Sequence, residues 1–527
     1  MWLEETEKVL NMLSKNENDY YRKKYKKTKI VCTLGPSSSS KAVIKKLIDS
    51  GMDVARLNFS HGNEIFFDGL IGLIRELSND TAILIDLPGP KIRTGKQNEV
   101  GIILKKGGYI NVVNRKEHSD NKNISIDYKF LTQDVKRNDL IFIDDGKIQL
   151  QVTDIACDKN GLSCKILRDG ILRAEKGVNF PNIKLSIPSV TKNDFKHLKF
   201  GAEHNADMFA VSFVRQPEDI ITVKNFLKKN YPEKHFFIIA KIEKSEAVEN
   251  IEAIAMVSDG IMVARGDLGV ETPIESIALK QKRIISVANI YKRPVITATQ
   301  MLESMVINES PTRAEVTDIA NAILDGTDAV MLSEETAIGN NPTLAVIYMN
   351  KIIKTTENSN IFIENNYRNI GIRRINGKGG GGREYTGNYR INPYEGYDIS
   401  NEYNNISNIV AEMAVLASYS VDGSFIAAVT RSGYTAGIIS SLRPVVPIIS
   451  IVPDEGVKRR LSLNFGVVSF VMRDIIKENV DIKNIIDFIN KSEKMKYFKE
   501  NFKYAVLSGG IPLGEPGSTD FVRIIKL

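Results

Sequence analysis

Short apolar runs rich in β-branched residues alternate with helix-length amphipathic stretches through much of the chain. KIVCTLG from Lys29 leads into a helical stretch holding Val43, Leu47 and Ile48, and DVARLNFS follows from Asp53. That is a β-α-β unit. The beat returns as AILID after Thr81, DMFAVSFV from Asp207, FFIIAKIE from Phe236, GIMVARGD from Gly260, PVITATQ from Pro294 and AVMLSEE from Ala329, eight strands in all. Runs this apolar suit parallel strands covered on both faces. Eight such units predict an α/β chain built on a closed (β/α)8 TIM barrel.

Between Arg93 and about Ser189 the beat stops. In-out alternation such as IFIDDGKIQLQV appears there, with turn pairs Asp145-Gly146, Asn160-Gly161 and Asp169-Gly170. An all-β domain inserted after the third barrel strand is expected, hinged where it leaves and rejoins the barrel. After Glu357 comes a stretch of Asn, Gly, Arg and Tyr, including GKGGGGR from Gly377, with too little periodicity to pack. From Ile406 the helix NIVAEMAVLAS and strands FIAAVT, PIISIV, YAVLSGG and FVRIIKL predict an open α/β domain. The expected division is a leader 1–27, barrel 28–92 and 190–357, inserted β-barrel lid 93–189, linker 358–405, and C-terminal α/β domain 406–527.

With 527 residues, 43% of them hydrophobic, the chain can bury more than one core. A net charge of +7 suits a phosphate-handling enzyme as well as a weak nucleic-acid binder, so it excludes neither. Cys32, Cys157 and Cys164 lack C-x-x-C spacing, which argues against a disulfide framework or a zinc site. The opening MWLEETEKVL is charged from Glu4, and nowhere are there the roughly 18 consecutive apolar residues of a spanning helix. A cytoplasmic protein with no membrane partner is expected.

Arg56, Asp86, Lys241, Glu243, Asp267, Thr299 and Glu335 fall at the C-terminal ends of the predicted strands, where such a barrel places its chemistry. Glu243 and Asp267 end neighbouring strands, so their carboxylates can converge on one hard divalent cation, with Lys241 facing the same way. On spacing alone, a buried Lys-Glu ion pair stiffening the rim reads equally well. Gly266, after Arg265, lets backbone N–H groups approach a small carboxylate, or is simply a turn glycine. Arg56, Asn58, Ser60 and His61 in RLNFSHG, with Asp86 and Arg93 in DLPGPKIR, set guanidinium forks among hard oxygen donors and could clamp a phosphoryl group.

Taken in order, KIVCTLGPSS, GMDVARLNFSHG, GPKIRTG, IIAKIEK, SDGIMVARGDLGVE, ATQMLESM and PTRAEVTDIANAILDGTDAVMLSEETAIG resemble the successive motifs of the pyruvate kinase family. IDDGKIQLQV and KGVNFP extend the likeness into the inserted domain, and TRSGYTAGIISSLRP into the C-terminal one. The resemblance implies transfer of the phosphoryl group of phosphoenolpyruvate to ADP, giving pyruvate and ATP in the last step of glycolysis. It implies that Glu243 and Asp267 hold Mg²⁺ or Mn²⁺, and that Lys241, with Arg56, stabilises the group in transfer. Thr299 would lie where the enolate is protonated. Gly266 and Asp267 would seat the substrate carboxylate, and Asn58, His61, Arg93 and, from the lid, Lys176 would face the nucleotide. A homotetramer is implied as well.

Two departures from the family pattern carry information. Many members hold K⁺ on oxygens at positions matching Asn58, Ser60, Asp86 and Leu87, and carry an acidic residue where this chain has Lys91. A fixed ammonium there would do the work of the ion, so K⁺ is expected to be dispensable; alternatively Lys91 points to solvent and the oxygen site still fills. In MLSEETAIG, Glu334 and Ile338 replace the usual glycine and lysine. Thr430, Arg431, Ser432 and Thr435, at a strand-to-helix turn, resemble the family's phosphate loop for a sugar-phosphate activator. Glu515 in the companion loop PLGEPGSTD sets a negative charge against such a ligand.

Three other readings compete. A pseudoenzyme would lack Lys241, Glu243, Asp267 or Thr299, and all are present. A Mg²⁺-dependent lyase on a similar barrel would need no lid. YYRKKYKK from Tyr20 interleaves aromatic and basic residues as a nucleic-acid binder does, but a solvated leader is the plainer account, and no nucleic-acid partner is expected.

Overall fold

The computed structural model describes residues 25–97, 101–114, 118–155, 161–366, 402–476, 481–511 and 519–527. Most of the expected leader, the Gly-rich run and the loop carrying Glu515 lie outside the described residues. The chain opens with β1 (Lys29–Thr33), β2 (Val54–Asn58) and β3 (Ala82–Asp86). It then forms β4 (Ile102–Leu104), β5 (Tyr109–Asn114), β6 (Asn123–Ile126), β7 (Leu140–Ile143), β8 (Ile148–Ile155), β9 (Gly161–Ile166), β10 (Gly170–Leu172) and β11 (Val178–Asn179). The parallel beat resumes with β12 (Met208–Val211), β13 (Phe237–Ile242), β14 (Gly260–Ala264), β15 (Val295–Ala298) and β16 (Ala329–Leu332).

β1–β3 and β12–β16 close into the expected eight-stranded barrel, in the order β1-β16-β15-β14-β13-β12-β3-β2. Alternate side chains such as Val31, Leu84, Met208, Ile239, Met262 and Ile296 fill its interior, so the barrel is a packed core. Capping boxes such as Thr191 with Asp194 and Thr312 with Glu315 start the helices that follow. Register places Asn58 opposite Asp86, which sets up one side of the candidate site.

Strands β4–β11 form the insertion, a six-stranded sheet β11-β7-β8-β9-β5-β6 with a β10-β4 pair beside it. The turn between β7 and β8 runs through Asp144, Asp145 and Gly146, all at positive φ, as a tight hairpin requires. Arg93 bridges to Gly177 where the chain enters. At the exit Arg215, just beyond β12, donates to Leu185 O at 2.6 Å and Ile187 O at 2.8 Å.

The C-terminal domain has β17 (Ser424–Val429), β18 (Ile448–Val452), β19 (Val467–Val471), β20 (Tyr504–Gly509) and β21 (Phe521–Lys526) in the order β19-β18-β17-β20-β21. β19 escaped the sequence reading because the crossover before it holds only the short helix Glu455–Arg460 and one 3₁₀ turn. This domain docks under the barrel: Leu463 enters the barrel's interior core, and Arg443 pairs with Asp328 at 3.3 Å while lying 4.2 Å over the Phe465 ring. Burial pushes the Asp328 carboxyl up, partly offset by Arg443. Arg443→Met strands that carboxylate and should cost about 3 kcal/mol. The urea midpoint should fall accordingly, and Asp328→Asn in the same chain should recover part of the loss.

Candidate active site

At the C-terminal mouth of the barrel, Lys241 lies near the end of β13 and Glu243 directly follows it. The Lys241 ammonium lies 3.0 Å from Asp86 Oδ1, 2.9 Å from Glu243 Oε1 and 2.7 Å from Ser212 Oγ, and is only 8% exposed. Burial alone would lower its pKa, but Asp86 and Glu243 outweigh that and hold it above its ordinary value. It is therefore a fixed cation across the working pH range. On the other side Arg56 binds Asp86 Oδ2 through Nε at 2.7 Å and Thr33 Oγ1 at 2.8 Å. Asp86 is thus gripped by two cations, which carry its pKa below the ordinary value despite burial.

Glu243 is fully buried. Desolvation first, and then the charge of Asp267, push its pKa up against the pull of Lys241. Its second oxygen accepts from Phe213 N–H at 2.8 Å. Two hard carboxylates whose repulsion a cation would relieve fit a divalent metal. Among the described residues no group of three or more His, Cys, Asp or Glu could hold a metal ion, so substrate and water oxygens would complete the shell.

Asp267 lies in the first turn of the short helix Arg265–Glu271 after β14. Gly266 N–H donates to Thr299 Oγ1 at 2.9 Å, and a Cβ at Gly266 would stand 3.6 Å from that oxygen. Thr299 directly follows β15 with φ of +68°, and Gln300 comes next at +56°. Two consecutive non-glycine residues in the left-handed region persist only where their surroundings hold them.

A second group faces the lid. His61 is held below its usual pKa, by burial first and then by Lys91, Arg93 and Arg56, so four basic groups converge at the mouth. Asn58 Oδ1 accepts from Ser60 N–H at 3.2 Å, while Leu87 is buried and its N–H bonds Ala210 O. Lys91 is exposed and lies along Gly177 of the lid base. Arg93 donates to Glu175 O at 3.0 Å and Lys176 pairs with Asp144 at 3.0 Å, so both are held at the base of the lid. A cavity of about 180 Å³ opens between lid and barrel, lined by Lys91, Asn179, Phe213, Lys244, Asp267 and Glu271 among others. Lys241 and Glu243 do not line it; Asp267 is its link to the carboxylate cluster.

Thr430, Arg431, Ser432 and Thr435 lie apart from this cluster, in the C-terminal domain. Thr430 Oγ1 accepts from Gly433 N–H at 3.0 Å, Ser432 Oγ from Tyr434 N–H at 3.4 Å, and Thr435 Oγ1 meets Thr519 Oγ1 at 2.8 Å. Sequence reasoning missed Ser212, the Phe213 N–H, and the lid tie in which Asn179 donates to Glu271 at 3.0 Å. Ser212 immediately follows β12, and the strand-end rule that singled out Lys241 would have found it. Glu335, noted among the strand-end residues, bonds the Leu302 and Ser333 N–H groups and is structural.

A charged cluster on a barrel rim beneath a basic, lid-covered mouth belongs to an enzyme that handles a small anionic substrate. A model of the pyruvate kinase barrel domain matches residues 25–346, and one of the pyruvate kinase alpha/beta domain matches residues 408–525. The pyruvate kinase of Thermococcus litoralis is 38% identical over 95% of this chain and 98% of that one. That of Bacillus licheniformis is 40% identical over 95% of this chain and 80% of its own. The crystal structure of a pyruvate kinase from Cryptosporidium parvum aligns at a TM-score of 0.82 with 31% identity, covering 96% of this chain and 97% of that chain. The chain belongs to the pyruvate kinase family and is a phosphotransferase.

Proposed function

We propose that the protein transfers the phosphoryl group of phosphoenolpyruvate to ADP with Mg²⁺ or Mn²⁺, as the last step of glycolysis in the cytoplasm, and that it needs no K⁺. The observation that carries the reading is the buried Lys241 ammonium held among Asp86, Glu243 and Ser212 beside Asp267. A divalent cation on Glu243 and Asp267 would draw substrate oxygens together and neutralise charge on the transferring group. Lys241 and Arg56 hold fixed positive charge where negative charge gathers in the transition state, and being already oriented they lose little reorganisation energy. Gly266 and Asp267 seat the substrate carboxylate, and the Thr299 hydroxyl lies where a proton is handed to the enolate carbon. His61, Arg93, Asn58 and Lys176 receive the nucleotide, and the lid tied by Asn179 excludes water.

The cation proposal is supported by the position of Lys91, which lines the cavity between lid and barrel together with Asp267. A lactate dehydrogenase-coupled assay of phosphoenolpyruvate and ADP with Mg²⁺ tests both parts. Turnover should be the same in K⁺-free buffer and with added K⁺. Lys91→Glu should cut K⁺-free turnover by about tenfold, equivalent to ~1.4 kcal/mol of transition-state stabilisation, and added K⁺ should restore it. No turnover in either buffer sinks the kinase reading, and turnover only with K⁺ sinks the role of Lys91.

Homotetramer formation is supported by the exposed stripe Ile406, Ile409 and Met413 on helix Glu402–Ser420. A sugar-phosphate effector is the reading of the Thr430–Thr435 turn, whose hydroxyls are near backbone N–H groups at the start of helix Tyr434–Ser441. Among the described residues no helix is long and apolar enough to cross a membrane.

A further inference from the structure

We infer that Arg265 and Asp318 are positioning residues for Thr299, and that the helix carrying Asp318 sets the geometry of the proton-transfer face. The inference rests on the proposed role of Thr299. The Arg265 side chain is 9% exposed. Its Nε donates to Ala298 O at 3.2 Å, one terminal nitrogen donates to Thr299 O at 2.5 Å, and the other meets Asp318 at 2.5 Å and Gln281 Oε1 at 3.4 Å. The guanidinium therefore grips both carbonyls that flank the turn into the left-handed region. Its chain neighbour Gly266 grips the Thr299 hydroxyl from the other side.

A β-branched residue at φ of +68° does not hold that conformation by itself. If the two carbonyls rotate, the Thr299 hydroxyl leaves the Gly266 N–H and with it the candidate site. A guanidinium suits this task because its rigid fork serves two carbonyls and a carboxylate at once, which an ammonium could do only by giving up geometry.

Asp318 sits on helix Arg313–Asp325. The same helix binds the far end of the rim through Glu315, which accepts from Ser304 N–H at 2.7 Å and Ser304 Oγ at 2.6 Å. One helix thus holds the 299–304 turn at both ends, through Arg265 at its start and directly at Ser304. A small shift of the helix is transmitted to Thr299, whereas the Lys241 ammonium is held by Asp86, Glu243 and Ser212 from other elements.

Asp318 is 38% exposed at its side chain, so Asp318→Asn keeps shape and fold while removing the charge that steadies Arg265. Expected is a fall in kcat of about tenfold, a much smaller change in KM for phosphoenolpyruvate, and an unchanged thermal midpoint. Exchange of the pyruvate methyl protons in D2O with Mg²⁺ and ATP, followed by proton NMR, reports proton transfer at the substrate carbon directly. It should slow in step with kcat. In a Thr299→Ala chain the added Asp318→Asn should cost under about twofold, because both changes act through one group.

Losses that multiply in the double variant, or methyl exchange left at the parent rate, overturn the inference. If Thr299→Ala by itself leaves kcat and exchange untouched, the role of Thr299 fails and the inference falls with it. If Thr299→Ala slows both and Asp318→Asn slows neither, the positioning role alone fails.

Discussion

Lys241→Ala is expected to lower kcat by about 10³-fold while KM for phosphoenolpyruvate moves far less. The ammonium is buried between Asp86 and Glu243 and is kept charged by them, so it is a fixed charge in a site of low polarity, where a preorganised charge counts most. An interaction that strengthens only as charge develops on the transferring group shows in kcat, whereas uniform binding would show in KM. The competing account makes Lys241 a structural ion pair. It predicts a lower unfolding midpoint with normal turnover per folded molecule. Removal also leaves Asp86 and Glu243 less compensated, but Arg56 still holds Asp86 and the Phe213 N–H still holds Glu243. Steady-state kinetics beside thermal unfolding separates the two accounts.

Glu243→Gln is expected to raise the Mg²⁺ concentration for half-maximal activity by at least about tenfold, the equivalent of ~1.4 kcal/mol, and to depress kcat even at saturation. A neutral amide is a poor ligand for a hard cation. In the parent protein, burial and the neighbouring Asp267 push the Glu243 carboxyl above its usual pKa. Protons therefore compete with the cation from a higher pH than for a free glutamate. Apparent Mg²⁺ affinity should weaken as pH falls through that raised value, by about tenfold per unit below it. It should level off above it. Mg²⁺ titrations at several pH values check this: the Gln variant should lose that part of the pH dependence. A half-saturation that does not change with pH or with the substitution would remove Glu243 from the metal site.

The eight barrel strands were legible because each is a local run whose apolar residues must be covered on both faces, and their number and spacing leave few closed alternatives. The strand-end rule also located Lys241, Glu243, Asp267 and Thr299. It was less informative about partners. Arg56 reads in the sequence as a fork open to phosphate, yet in the fold it is engaged with Asp86 and Thr33. Lys176, which the family resemblance assigns to the nucleotide, also pairs with Asp144 of its own domain, a contact that no motif spacing encodes. Edge strand β19 was lost because it is half-buried and follows a short crossover.

What local pattern settled was the architecture and the kinds of group at the rim, since periodicity records burial residue by residue. What only the closed barrel settled was which groups share a charge. Lys241 and Asp86 are 155 positions apart, and Ser212 joins them from a third strand. The left-handed turn at Thr299 is likewise invisible in PVITATQ. It exists because Arg265 and Gly266, from the neighbouring strand end, hold a conformation that the local sequence does not favour. Pairing of buried charges depends on distances through space in a medium of low polarity, and no spacing along the chain encodes those distances until the ring of strands has closed.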